Sequence, residues 1–440
     1  MSERDGWAAG EAGTEPTVER RQWRRLAAVC FAVLVVCWTG WSGWNRFEDS
    51  RAQAAAAAGR QYLEERRDEL AERELAVALE RFPDDAELRL LWAQAVIGGR
   101  SRSVEKAAEL AISGLARIPD TSPDAAEARM REGRLALLVL QQPDRAERLL
   151  RQSLQLNPAP IDAHYLLWKL YELTDRYQEA EPFFRAVWER TAVAERGERL
   201  RDWYLSQFSP LAATADLDRR MGFIAEGQVG SAGVVVVRLA TFQRNEPASA
   251  ITLAVNAAHL IQLRDRESAL PLLESVQSSD DARASDFFLS VWLNLLLELG
   301  RLPESQAWFE AYKGPRQGHL YDRMAGRMEQ TVYRRDERAL EHFDRALAVW
   351  PGAMDWSLLH FRAQSLARLG RRQEADQTRA RAKEIELLME LPVHQQLRQM
   401  LLNLNDPATL REMEKFYRAL GRSWEADEWS RLAADLPSGQ

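Results

Sequence analysis

The chain has 440 residues and a formal net charge of −7, so it lacks the basic excess that is typical of nucleic-acid-binding proteins. Only five of its 59 basic residues are lysine, an arginine bias that is typical of a GC-rich bacterial gene. Its two cysteines, Cys30 and Cys37, lie in one apolar stretch, so the rest of the chain can form neither a disulfide nor a thiolate zinc site.

The N-terminal region predicts a membrane anchor. Residues 1–25 are polar and glycine-containing, and we expect them to form a disordered cytoplasmic tail. Residues 26–44 carry no charge over 19 positions, which is long enough for one transmembrane helix. Arg20, Arg21, Arg24 and Arg25 precede this stretch, whereas only Arg46 follows it closely. The positive-inside rule therefore predicts a single-pass inner-membrane protein with its N-terminus in the cytoplasm and its C-terminal domain in the periplasm.

Three other interpretations of this region remain open. Cleavage of a signal peptide at Ala52-Gln53-Ala54 would place the site unusually far beyond the apolar residues. Lipid attachment at Cys37 would require a bulky Val36 where lipoprotein signals have a small residue. A twin-arginine signal would place Arg24 where an apolar residue is usual. Trp38, Trp41 and Trp44 instead favour an interfacial aromatic belt at the end of a retained span.

After a short connection at 45–51, the chain shows a repeated pattern at helical spacing. The second helix of each predicted pair has a small residue, an apolar or small residue four positions later and another small or apolar residue three positions after that. A proline often follows five residues further on and ends the helix. The pattern begins at Ala71, Ala107, Ala146, Ala180 and Ala339, with weaker copies at Ala269, Ser305, Ala375 and Ala426. Such short pairs bury their apolar faces only by stacking on copies of themselves.

The repeats divide the chain into blocks. Residues 52–194 form the first block, and residues 250–390 form the second. The pattern weakens over 195–249, which we interpret as a helical joint in which the run Val234–Val237 begins a helix rather than a strand. Residues 391–406 are expected to be a connection, and the last helical pair and its charged cap complete 391–440. Gly300, Gly370 and Gly421 precede three of the repeat anchors by five residues, where a turn is expected.

The repeat spacing and these positions resemble the tetratricopeptide repeat family, in particular its membrane-anchored bacterial members. Gly59 and Tyr62 match first-helix positions of the family pattern, and so does Tyr171 in the repeat that contains Ala180. Trp168 departs from the pattern because glycine is usual there, and Arg66 and Asp175 replace the turn glycine. The resemblance implies an all-α, right-handed α-solenoid of helix-turn-helix repeats. It also implies an interaction scaffold for protein or peptide partners, without specifying which ones.

The sequence contains no recognisable catalytic or cofactor-binding motif, so we expect a protein that is not an enzyme and has no cofactor or metal. Trp92, Trp168, Trp292 and Trp356 are predicted to lie on core faces of first helices. Because first helices line the concave groove in the family, polar rows on them are candidate partner-binding positions. These rows consist of Tyr165, Lys169 and Glu172, of His360 and Gln364, and of Arg411, Lys415 and Arg418.

The sequence therefore favours a non-enzymatic, membrane-anchored scaffold that mediates protein–protein interactions outside the cytoplasm and acts in envelope protein assembly. Two alternatives remain open at this point. One is a solenoid-fold enzyme that acts on envelope polysaccharide. The other is a scaffold with reversed topology that faces the cytoplasm.

Overall fold

The computed structural model describes residues 17–174, 176, 179–208 and 231–436, with side chains omitted for 17–37, 40 and 231–236. All regular structure within these residues is helical, as the sequence predicts. The first helices are α1 (Thr17–Glu64), α2 (Asp68–Arg81), α3 (Ala86–Gly98), α4 (Val104–Leu115), α5 (Ala125–Leu138), α6 (Pro143–Leu156), α7 (Ile161–Leu173), α8 (Glu181–Glu189) and α9 (Arg196–Phe208).

Beyond residue 230 thirteen further helices follow. They are α10 (Ser231–Asn245), α11 (Ala250–Gln262), α12 (Arg266–Glu274), α13 (Asp280–Ala284), α14 (Asp286–Glu298), α15 (Leu302–Glu310), α16 (His319–Thr331), α17 (Asp336–Ala348), α18 (Trp356–Arg368), α19 (Arg372–Leu388), α20 (Leu391–Met400), α21 (Pro407–Ala419) and α22 (Ser423–Asp435). The chain divides into two compact units, residues 1–101 and 102–440.

Successive helices pack as pairs within each unit, in agreement with the predicted repeats. In the first unit α1 packs on α2, and in the second α5 packs on α6 and α7 on α8. Pairs also form between α11 and α12, α14 and α15, α16 and α17, α18 and α19, and α21 and α22. Side-chain oxygens of serine or aspartate cap several of these helices by accepting first-turn N–H groups, for example at Asp85, Ser249, Ser285 and Asp355.

The predicted anchor positions are buried, which confirms the repeat register. Ala71, Ala146, Ala269, Ser305, Ala339, Ala375 and Ala426 are fully buried, and Ala107 and Ala180 are at most 2% exposed. The large residues four positions later, including Leu75, Leu150, Phe184 and Phe343, are also fully buried. Small residues at the anchors let the paired helices approach closely, and the large residue fills the space between them.

First-helix glycines explain how the large residues fit. A Cβ built on Gly133 would lie 2.7 Å from Cγ of Leu150, and one on Gly59 would lie 2.6 Å from Cγ of Leu75. Glycine is therefore needed where the partner helix inserts a large side chain. In the α7–α8 pair Trp168 occupies the corresponding position, and its ring packs edge-on against Phe184 at a centroid distance of 5.0 Å.

The turn between the two helices of a pair has a left-handed residue at a fixed position. Gly300, Gly370 and Gly421 have φ of 71°, 77° and 77°, as predicted from their spacing. The same position, five residues before the anchor, is left-handed in four further repeats, although the residue there is not glycine. These residues are Arg66, Gln141, Arg264 and Arg334, with φ between 52° and 65°. The left-handed turn conformation is thus retained at positions where the sequence lacks glycine, the residue that adopts it without strain.

The first helix differs from the expected N-terminal tail. Residues 17–25 are part of α1 rather than disordered, because they lack glycine and proline and are rich in helix-forming glutamate, arginine and glutamine. Residues 1–16 lie outside the described residues, as do the side chains of most of the predicted span at 26–44. Among the residues that the structure describes, no helix is long and apolar enough to cross a membrane.

Two predictions beyond the first block have different outcomes. Val234–Val237 lie in helix α10, which confirms the prediction of a helix at this place in the joint. The expected connection at 391–406 is wrong, because residues Leu391–Met400 form helix α20. Pro392 and Pro407 both stand in the first turn of a helix, where the missing N–H would have no intrahelical partner anyway.

The last helical pair exposes the charged residues Asp427, Arg431 and Asp435 on its outer face, as expected, but its other face is not solvated. Helix α22 packs against α9, and Glu425 and Glu428 are only 1% and 6% exposed. The Trp203 indole N–H donates to Glu425 Oε1 at 3.3 Å, and Arg422 pairs with Glu181 at 3.3 Å. Phe184 stacks on Trp203 at 4.4 Å, and Trp424 lies edge-on to Trp188 at 5.7 Å. The last pair therefore completes the core around α8 and α9.

Candidate functional site

The first predicted groove row is not exposed. Lys169 and Glu172 are 5% and 3% exposed and form an ion pair of 2.8 Å, and Tyr165 is half-buried. The joint helices cover this face of α7, because Arg199 lies over the Tyr165 ring and Arg238 donates to the Leu173 carbonyl. The prediction that these three residues lie on an open face is therefore wrong.

The buried pair is arranged as a structural contact. Lys169 Nζ lies 3.9 Å from the centre of the Trp168 ring, so the ammonium group is held by both an anion and an aromatic face. Burial raises the pKa of the Glu172 carboxyl, and the nearby Lys169 charge opposes this change. Lys169 is the hydrogen-bonded cation of this carboxylate, and the charge of Arg238 also lowers the pKa of Glu172.

A second buried ionic cluster connects α6 with the turn after α7. Arg176 donates to Glu147 Oε2 at 2.6 Å and to Glu179 at 2.8 and 2.9 Å. The Tyr171 hydroxyl donates to Glu147 Oε1 at 2.8 Å. Although burial alone would raise the pKa of Glu147, the charges of Arg176 and Arg151 and these hydrogen bonds lower it to about 2. The positive and negative groups of this cluster pair with one another. The cluster therefore forms a contact between neighbouring repeats.

The other two predicted rows are exposed as expected. His360 and Gln364 are exposed on α18, and Arg411, Lys415 and Arg418 are exposed on α21. Lys415 pairs with Glu412 at 3.3 Å and Arg418 with Glu414 at 2.9 Å, both within the same helix. These positions are accessible to a partner, in contrast to the row on α7.

The structure adds a cavity that the sequence did not predict. It has a volume of about 340 Å³ and lies between the end of α9, the starts of α16 and α18 and the segment after α19. Its polar side chains are Gln207, His319, Arg323, Asp355 and Ser357. Its apolar walls include Phe208, Leu320, Met354, Trp356 and Met389. Concave sites of this mixed character are typical places for ligand binding.

Asp355 organises the polar side of the cavity. Its Oδ1 accepts the Leu358 backbone N–H at 2.9 Å and the Ser357 hydroxyl at 2.7 Å. Its Oδ2 lies 2.9 Å from Arg323 Nε and 3.4 Å from His319 Nε2. Burial would raise the pKa of Asp355, but Arg323, His319 and Ser357 together hold it well below its ordinary value. The carboxylate stays ionised and is fully engaged, so it is unsuited to general acid catalysis.

Two residues of the cavity lining, Trp356 and Gln207, differ in exposure. Trp356 was predicted to lie in the core, whereas it is 37% exposed at the cavity, since it follows the capping Asp355 and stands at the first position of α18. Trp168 and Trp292 are fully buried as predicted, and Trp92 is half-buried. Gln207 is only 6% exposed, and among the described residues neither its amide nitrogen nor its amide oxygen has a hydrogen-bond partner.

Some of the cavity residues could be identified from the sequence, and others could not. Asp355 and Ser357 could have been found as a capping motif before a helix, because an aspartate in that position commonly accepts first-turn N–H groups. Gln207 gave no signal, because its burial depends on helices more than 100 residues away in sequence. Within the described residues, no group of three or more His, Cys, Asp or Glu side chains is arranged to hold a metal ion.

Comparisons with known proteins give a family match over part of the chain and structures of low similarity over most of it. Structural similarity extends over most of the chain but is low. The crystal structure of the APC/C hetero-tetramer Cut9–Hcn1 is 12% identical, covers 88% of this chain and 74% of that chain, and gives a TM-score of 0.32. A human IFIT1 dimer with m7Gppp-AAAA is 15% identical, covers 87% of this chain and 81% of that chain, and gives a TM-score of 0.28. A search of curated protein sequences finds no match. Residues 137–202 match the family model described as tetratricopeptide repeat.

Proposed function

We propose that this protein is a non-enzymatic, membrane-anchored scaffold that mediates protein–protein interactions on the extracytoplasmic side and acts in envelope protein assembly. The observation that carries the scaffold function is the stack of helix pairs with buried anchors, which includes the tetratricopeptide repeat match at 137–202. Repeat stacks of this kind present extended surfaces to partners. The exposed rows on α18 and α21 are the corresponding candidate contact positions.

The membrane anchor is proposed from the uncharged sequence at 26–44 and from the arginines that precede it. Trp38, Trp41 and Trp44 are 66%, 65% and 63% exposed on α1, which suits side chains at a membrane interface. Fusions of alkaline phosphatase and of a cytoplasm-only fluorescent protein after Gln440 test the topology. Phosphatase activity without fluorescence supports the proposed orientation, and the reverse result would assign the repeats to the cytoplasm.

Site-specific photocrosslinking tests the contact surface. A photoreactive residue replaces Gln364 on α18 or Lys415 on α21, and Arg379 and Lys383 on α19 serve as controls because they are equally exposed on a second helix. We expect crosslinks to one defined envelope protein from the first two positions and not from the controls. Crosslinks from α19 alone would show that partners bind the second helices, and their absence at all four positions would contradict the scaffold proposal for this region.

A further inference from the structure

Helix α20 lies outside the repeat pattern and is held in the fold through one of its faces. His394, Leu397 and Leu401 form this inner face, and all three are at most 6% exposed. His394 contacts the end of α9, because its Nδ1 lies 2.9 Å from the Tyr204 hydroxyl. Since the inner face holds the helix, the outer face is available for contact with another molecule.

The outer face of α20, a helix that the structure describes completely, exposes no charged residue. Its exposed residues are uncharged and are continued directly beyond the helix by two more: Leu391, Pro392, Gln395, Gln396, Gln399, Leu402 and Asn403. Arg398 is the single charged residue in 391–405 and is half-buried, whereas 28% of the whole chain is charged. Leu391 and Leu402 are 64% and 73% exposed. Exposed apolar side chains on a surface without charge are typical of the core of a protein–protein interface.

The residue types along this face have the same order in both directions. Leu391, Gln395, Gln399 and Leu402 are spaced by four, four and three residues, so they form one stripe along the helix. If two such helices pack antiparallel about a two-fold axis, Leu391 of one copy faces Leu402 of the second copy, and Gln395 faces Gln399. A glutamine amide both donates and accepts hydrogen bonds, so the facing amides can satisfy each other without any charge. The outer face of α20 is therefore complementary to itself.

We propose that the outer face of α20 joins two copies of this chain in a dimer with antiparallel α20 helices. A second copy is favoured over an unrelated partner, because a two-fold contact requires a face that is complementary to itself. Each copy has a net charge of −7, so two copies repel each other on average and associate more easily through a face without charge. The proposal goes beyond the scaffold function and does not depend on it. The dimer would present the exposed rows on α18 and α21 twice.

Sedimentation velocity of the full chain in detergent solution tests for the dimer. A single helix face is smaller than the about 1,200–2,000 Å² that stable interfaces bury, so we expect a weak dimer with a Kd on the order of 10–100 μM. Leu402→Glu should weaken the dimer at least about tenfold, because the interface would then bury two unpaired carboxylates. Leu263→Glu is the matched control, since Leu263 is 61% exposed directly after α11, and this variant should dimerise normally.

Cysteine crosslinking tests the antiparallel arrangement in chains in which Cys30→Ser and Cys37→Ser remove the native thiols. Differently tagged Leu391→Cys and Leu402→Cys chains are mixed and oxidised, and we expect a disulfide between the two variants. Leu391→Cys chains alone should not crosslink, because antiparallel packing holds this position of the two copies about 16 Å apart along the helix axis. That separation is beyond the reach of a disulfide.

Three results would overturn the proposal. The unaltered chain could remain monomeric at concentrations about tenfold above the expected Kd, or Leu402→Glu could dimerise as well as the control. Disulfides between two Leu391→Cys chains would show that the helices are not antiparallel. Photocrosslinking of a different protein from Gln395 in a monomeric chain would assign the face to that partner. Crosslinks from Gln364 or Lys415 to an envelope protein are measured separately, so failure of the dimer is distinguishable from failure of the scaffold function.

Discussion

For several residues of this protein, burial by other helices decides which contacts the side chain makes. Lys169 and Glu172 stand at a spacing that predicts an exposed helix face, yet both are buried and pair with each other. Periodicity identifies which residues share a face of α7, but it does not show that α9 and α10 cover that face. The same limit applies to Gln207, because no motif in the sequence indicates its burial or the absence of hydrogen-bond partners among the described residues.

Removal of one member of the buried pair should be more harmful than removal of both. Lys169→Met leaves the Glu172 carboxylate buried without its cation, and we expect a loss of about 3–5 kcal/mol in the free energy of unfolding. The double variant Lys169→Met, Glu172→Leu should recover most of this loss, because no unpaired charge remains. Urea unfolding of the single and double variants measures both values. Equal stability of the single variant and the unaltered protein would contradict the buried pairing.

His394 predicts a dependence of stability on pH. Burial, with Arg398 nearby, lowers the pKa of His394 to about 4, and its Nδ1 accepts the Tyr204 hydroxyl at 2.9 Å. The folded state therefore favours the neutral ring, so its contribution is fully present above the unfolded pKa of about 6.5 and is lost as pH falls towards 4. The loss is at most about 3 kcal/mol. Chemical denaturation at pH 7 and pH 4.5 should show a smaller difference for His394→Gln than for the unaltered protein, and an identical difference would contradict this assignment.

At the level of elements, the turn inside each helix pair is the most predictable part of the fold. Gly300, Gly370 and Gly421 are identifiable from their distance to the anchors, and all three are left-handed. The helix that the sequence does not predict lies outside the repeat pattern. The sequence does not predict helix α20, because Pro392 usually marks the end of a helix but here stands in the first turn of one.

Two substitutions in these turns should have opposite effects. Gly370 has φ of 77° and open space around the position of a Cβ, so Gly370→Ala introduces backbone strain alone and should cost about 1 kcal/mol. Arg334 is exposed and has φ of 58°, so Arg334→Gly should relieve strain and raise stability by about 0.5 kcal/mol after the greater entropy of the unfolded chain is subtracted. Thermal unfolding of the two variants measures both changes. A stabilising Gly370→Ala would show that this turn is not held in the left-handed conformation.

At the scale of the larger unit, residues 102–440, the main departure from a simple repeat array is the packing of the last helical pair on α8 and α9. In an array with nearest-neighbour contacts only, α21 and α22 would contact the preceding pair. Helix α21 does contact the preceding pair, because Arg381 donates to the Ala419 carbonyl at 2.7 Å. In addition, Arg422 pairs with Glu181, and its guanidinium lies 3.7 Å from the centre of the Trp350 ring. The repeat pattern in the sequence is local, so it contains no information about contacts between segments more than 200 residues apart.

Deletion of residues 407–440 should therefore affect a distant part of the chain. The deletion exposes Phe184, Trp203 and Tyr204, which lie against the last pair through Trp424, Glu425 and Phe416. We expect hydrogen exchange to lose protection in α8 and α9, because their apolar faces lose their cover. Helices α11 and α12 are the internal control and should remain protected. Unchanged protection in α8 and α9 would contradict the packing of the C-terminal pair.

The packing of the last helical pair on α8 and α9, which includes the Arg422–Glu181 ion pair, also limits the order in which the chain can complete its fold. Each helix pair can form soon after it is synthesised, because its partners are adjacent in sequence. The contact of the Phe184 ring with Trp424 can form only after Trp424 is synthesised, more than 200 residues later. At about 5–20 residues per second, this interval is on the order of 10–40 s. During synthesis the aromatic side chains of α8 and α9 therefore lack the cover of the last pair, and a chaperone that binds aromatic surface would act there.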